Sequence, residues 1–78
     1  MAALKRPLHE IPPYITEALE SEGLTESYWA RPPYQRNDYI GWITRAKLQE
    51  TIDKRLNQML DELKDGTRYM GMKYNARK

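Results

Sequence analysis

The chain contains no cysteine, no phenylalanine, a single histidine (His9) and no long apolar run. Without cysteine, neither a disulfide staple nor a thiolate metal site can form. That suits a reducing compartment. One histidine rules out histidine pairs and clusters. No stretch approaches the roughly 20 apolar residues that a membrane-spanning helix requires. The opening MAALKRPLHE has no apolar core after its basic pair, so it does not read as a secretory signal. A cytoplasmic protein without membrane insertion is expected. Nucleophile elbows, phosphate-cradling loops and zinc-ligand spacings are missing too. No catalytic, cofactor-binding or metal site is therefore expected, and the chain reads as a non-enzyme.

What remains is a short, mixed-charge, helix-patterned chain. Its 78 residues suffice for one small domain with a modest core. Hydrophobic residues make up 40% and charged residues 31%, a balance that suits a folded helical domain rather than a disordered one. Thirteen basic and eleven acidic side chains leave a net charge of +2, too mild to point to nucleic acid by itself. Six tyrosines and two tryptophans supply all the aromatic surface. Both types keep one polar end that seeks a partner or water. In so small a domain many of them must lie near the surface, as size alone dictates or as part of a partner-binding patch.

The stretch Arg31–Gly66 organises the rest, with prolines opening it and a glycine closing it. Residues 1–10 are expected to form a flexible arm, 11–66 a helical domain, and 67–78 a C-terminal tail. Pro12 and Pro13 suit the first turn of a helix, where a missing N–H has no partner to lose. Ile11, Ile15, Ala18 and Leu19 then recur at helical spacing, and Gly23 follows as a C-terminal stop. A short second helix is expected from Thr25, read as its N-cap, and must end before Pro32. Trp29 is the expected anchor of that helix.

A third helix begins at Pro32-Pro33. Tyr39, Ile40, Ile43 and Ala46 form its apolar face, Trp42 lies on the flank, and Arg36, Asn37, Thr44 and Arg45 fall on the solvated side. Gly41 reads either as a tolerated helix glycine or as a point of close approach. The periodicity weakens at Lys47-Leu48-Gln49, where a turn is placed, a single kinked helix being the alternative. The fourth helix runs from about Gln49 to Lys64. Its stripe of Ile52, Leu56, Met59, Leu60 and Leu63 is the clearest in the chain. Glu50, Asp53, Asp61 and Glu62 read as its solvated carboxylates. Beyond Gly66 the segment TRYMGMKYNARK lacks a helical period. It reads as a tail that frays or folds weakly back, or as a segment that orders on a partner.

The fold class expected is therefore all-α: a small four-helix bundle with one short helix, no sheet and flexible termini. Partner-binding residues are assigned to Tyr34, Arg36, Trp42 and Arg45, on or beside the exposed side of the third helix. An alternative function uses Arg31, Arg36, Arg45, Lys47, Lys54 and Arg55 as a basic surface for nucleic acid, on a helix pair joined by a tight turn.

The run Tyr39-Ile40-Gly41-Trp42-Ile43-Thr44-Arg45-Ala46-Lys47, then Glu50-Thr51, then Lys54-Arg55-Leu56, resembles the helical C-terminal region of the YdeI/OmpD-associated, or bacteriocin-protection, family. The likeness spans roughly residues 12–66. It implies an all-α bundle, a bacterial origin, a link to cationic antimicrobial-peptide resistance or envelope stress, and a porin or envelope protein as partner. It supplies no catalytic residue. Two departures stand out. Gln49 occupies a position where the family often has proline, and the domain that longer relatives carry ahead of the helices is not expected in this chain.

Overall fold

A computed structural model describes residues 10–73 of the chain. Four helices follow one another: α1 (Pro13–Ser21), α2 (Thr25–Trp29), α3 (Pro33–Arg45) and α4 (Gln49–Asp65). Two short strands, β1 (Arg68–Tyr69) and β2 (Met72–Lys73), then pair antiparallel, with Tyr69 opposite Met72. This hairpin corrects the expectation of a sheet-free fold: the protein is mainly helical and carries a two-stranded sheet. Residues 1–9 of the expected flexible arm and 74–78 of the tail lie outside the described residues.

The helix boundaries follow local chemistry. Pro13 and Pro33 each open a helix, in the first turn where they lose no bond. Gly23 and Gly66 take positive φ, 70° and 81°, just past α1 and at the end of α4. The break between α3 and α4 falls at 46–48, as the weakened periodicity indicated. Thr25 is the first helical residue of α2 rather than its cap. Leu24 occupies the cap position, with no side-chain cap bond.

The core lies where α3 crosses α4. Tyr39, Ile40 and Ile43 of α3 and Met59 and Leu63 of α4 are buried, with Ile52, Leu56 and Trp42 half-buried against them. Ile15 and Leu19 of α1, Leu24 and Tyr28 close the other side. Removing such side chains from water is the main stabilising term, at about 1.5–3 kcal/mol for each large one. In α2 the anchor is Tyr28, 2% exposed, and not Trp29, which is 53% exposed. Helical spacing explains the exchange: Tyr28 falls four residues after buried Leu24 and so shares its inward face, whereas Trp29 is turned about 100° away.

Among the described residues no helix is long and apolar enough to cross a membrane.

Candidate functional site

Two polar regions frame α3. The first is closed. Glu62 continues the apolar stripe of α4, three residues after Met59 and one before Leu63, and it is only 4% exposed. Its Oε1 accepts from the Tyr39 hydroxyl at 2.5 Å and from the Met70 N–H at 2.8 Å. Its Oε2 accepts from the Gly71 N–H at 2.7 Å and from Gln58 Nε2 at 3.0 Å. A carboxylate offers about four lone-pair positions, and all four are taken. The backbone carbonyl of Glu62 is equally occupied, by Arg31 Nη2 at 2.9 Å and the Gly66 N–H at 2.9 Å.

Burial alone would push the Glu62 carboxyl up. The hydrogen bonds from Tyr39, the two turn amides and Gln58 outweigh it and hold the group below its ordinary value. The partner effect appears on Tyr39, whose hydroxyl is pushed well above the usual tyrosine range, first by burial and then by its bond to the carboxylate. Arg31 completes the cluster. It is 6% exposed and donates to Gln35 Oε1 at 3.1 Å. Among the described residues no buried side-chain nitrogen or oxygen lacks a hydrogen-bond partner.

This cluster ties the hairpin to the helices. Met70 and Gly71, at φ 53° and 81°, form the two-residue loop, and positive φ at both positions is the pattern of a type I′ turn. Holding a methionine in the left-handed region costs on the order of 1 kcal/mol. Both turn amides point at one carboxylate, which offsets that strain. Tyr69 adds an edge-to-face contact with Tyr39 at 5.4 Å, another with Tyr34 at 6.0 Å, and a 2.7 Å hydrogen bond from its hydroxyl to Asp38.

The second region is open. Arg36 lies 4.7 Å from the centre of the Trp29 ring, and its Nε donates to the Arg31 carbonyl at 3.0 Å. Trp29, Arg36, Tyr28, Pro33, Ile11, Glu10 and Asn37 line a shallow hollow of about 270 Å³. At the far end of α3 the motif repeats. Arg55 lies 5.2 Å from the Trp42 ring and its Nη1 donates to the Trp42 carbonyl at 2.7 Å. Each tryptophan of the chain thus carries an arginine against its face, an arrangement worth about 0.5–1 kcal/mol where exposed.

The four residues assigned to partner binding are divided between these surroundings. Tyr34 is exposed but leans on Tyr69 of the hairpin. Arg36 is half-buried on Trp29, Trp42 is half-buried under Arg55, and Arg45 is exposed at the last turn of α3. Trp29 was assigned to the interior and instead belongs to the open surface. Three residues taken as solvent-facing are buried: Arg31, Asn37 and Glu62. Arg31 therefore leaves the proposed basic surface. The position of Glu62 on the stripe, between Met59 and Leu63, was the one signal available for it. No group of three or more acidic, histidine or cysteine side chains among the described residues is arranged to hold a metal ion.

By its build this is a small, mainly helical domain with arginine-capped tryptophans, a carboxylate-sealed interior and a two-stranded hairpin. The sequence places it more narrowly. Residues 9–66 match the family described as "Bacteriocin-protection, YdeI or OmpD-Associated", and the chain belongs to that family. Neither the curated proteins nor the solved structures compared with it contain a match. The matched stretch takes in all four helices and ends where the hairpin begins.

Proposed function

We propose that this protein is a non-enzymatic interaction module contributing to bacteriocin protection. It acts from the cytoplasm of a bacterium on an envelope-associated protein and makes contact through Tyr34, Arg36, Trp42 and Arg45 together with Trp29. The observation that carries the reading is the exposed Trp29 with the Arg36 guanidinium against its face. Tryptophan and arginine are the side chains most often responsible for binding energy at protein interfaces. The saturated Glu62 carboxylate supports the non-enzymatic part, because a carboxylate with four donors already bound is poorly placed to accept a substrate proton.

The test is a bacteriocin challenge of a sensitive bacterial host with and without the protein, alongside the Trp29→Ala/Arg36→Ala double variant. Survival is expected to rise with the wild type and to fall back with the variant, while mass spectrometry finds the bacteriocin chemically intact. Unchanged survival would remove the protective role. A cleaved or modified peptide would remove the non-enzymatic one. The nucleic-acid alternative rests on Arg36, Arg45, Lys47, Lys54 and Arg55. A salt-sensitive electrophoretic shift with DNA or RNA would favour it instead.

A further inference from the structure

We propose that Glu62, with Tyr39 and Tyr34, forms a docking site for a tight peptide turn. The hairpin of residues 67–73 is its intramolecular occupant and can leave it as a unit while the helices stay folded.

The receiving and the inserted parts are separable in the chain. Arg31, Gln35, Tyr39, Gln58 and Glu62 sit on or beside the packed helices, whereas everything inserted follows Gly66. What the site reads is backbone. Two successive N–H groups, from Met70 and Gly71, meet the two oxygens of one carboxylate at 2.8 and 2.7 Å. Successive amides in a turn form a small concave donor pair that suits an anion, and here the anion is supplied by the protein. Beside it, Tyr34 and Tyr39 present ring edges and faces that grip one aromatic side chain, Tyr69. The chemistry required of an occupant is thus a turn with two adjacent free N–H groups and a neighbouring aromatic residue.

The occupant is held by the site more than by itself. Each strand has two residues, and two-stranded hairpins of that size have little stability alone. Met70 takes a positive φ that a methionine adopts reluctantly. The attachment pivots at Gly66, whose φ of 81° ends α4 in an open position where an added Cβ would meet nothing within 4 Å. Opening there leaves the α3–α4 seam of Ile40, Ile43, Met59 and Leu63 in place. It uncovers the carboxylate and the part of the Tyr39 ring that Tyr69 packs against, so departure of the hairpin exposes a surface that the resting protein covers. The contact occludes that surface in the resting protein, and the inference does not rest on a role in bacteriocin protection.

Amide hydrogen exchange on the full-length chain tests the departure. The Met70 and Gly71 amides are expected to exchange through an opening that leaves the Met59 and Leu63 amides protected. Glu62→Gln should accelerate the first pair by about 10–100-fold, the usual reach of a charge-assisted hydrogen bond, and the second pair by a clearly smaller factor. Equal protection of all four amides in the wild type would overturn the proposal. Recognition is tested by titrating a cyclised Arg68–Lys73 peptide into the full-length Tyr69→Ala variant, in which the chain's own occupant is weakened. Saturable shifts of the Tyr39 and Glu62 amides, abolished by adding Glu62→Gln, support the site. No saturable shift at millimolar peptide, or the same shift in the double variant, rejects it.

Discussion

The closed and the open region around α3 use charge in opposite ways. Around Glu62 and Arg31 the charged groups are buried and every acceptor position on Glu62 is filled. Around Trp29 and Trp42 the arginines lie across aromatic faces at the surface, where water still reaches them. Coulombic attraction is several times stronger in the protein interior than in water, and an unpaired group is correspondingly more costly there. The closed region should therefore govern stability, and the open region should be free to serve binding. Substitutions in the two regions should separate these roles.

Glu62→Ala is the harshest test of the closed region. It leaves the Tyr39 hydroxyl, two turn amides and Gln58 without their acceptor, and the expected loss is about 3 kcal/mol or more, at about 1–3 kcal/mol for each buried donor left unpaired. Urea unfolding measures it. Tyr39→Phe deletes one donor to the carboxylate and keeps the ring on Tyr69. A loss of about 1.5–3 kcal/mol is expected from the same measurement.

Acid provides a graded version of the same experiment. The Glu62 carboxyl is held below its ordinary value of 4.5, so its contribution is fully present above that value and is lost as pH falls through the lower, folded value. Asp65 adds to the slope with the same sign, its carboxylate held down first by the Thr67 hydroxyl at 2.6 Å and then by Arg68. Thermal unfolding followed as a function of pH should show stability falling through the acid range below pH 4.5. Glu62→Gln should flatten most of that fall and leave the shallower part due to Asp65.

The open region should respond weakly. Arg55→Ala removes a contact with the Trp42 ring and a bond to its carbonyl, with an expected loss of about 1 kcal/mol. The surface ion pair of Lys64 with Glu22, 3.0 Å apart and largely exposed, should contribute least, under about 0.5 kcal/mol on Lys64→Ala. A large loss at either of these sites would erase the distinction between the two regions.

Much of the helical part was legible from spacing and punctuation. The prolines at 13 and 33, the glycines at 23 and 66, and the stripe through Met59 and Leu63 set four helices where the structure has them. The family was legible in the run around Trp42-Ile43 and Ala46-Lys47. The hairpin was not, for a physical reason. Its turn is Met-Gly rather than the Asn-Gly or Asp-Gly that signals a type I′ loop, and its strands are too short to show alternation. Its stability comes from Glu62, a contact eight to nine residues back in the chain that no local pattern encodes. The same contact misled the reading of α4. A glutamate beside Asp61 resembles one more solvated acid until the donors that neutralise its burial are located. In α2, two adjacent aromatics left Tyr28 and Trp29 competing for one inward position. The spacing from Leu24 decided it.

The most direct measurement is the titration of the Glu62 side-chain carboxyl by carbon NMR in the folded, full-length protein, read together with the Met70 and Gly71 amide shifts. The account predicts a midpoint below 4.5, with both amides moving at the same midpoint as they lose their acceptor. A midpoint at or above that value, or amides indifferent to it, would contradict the claim that this one carboxylate binds the hairpin to the helices.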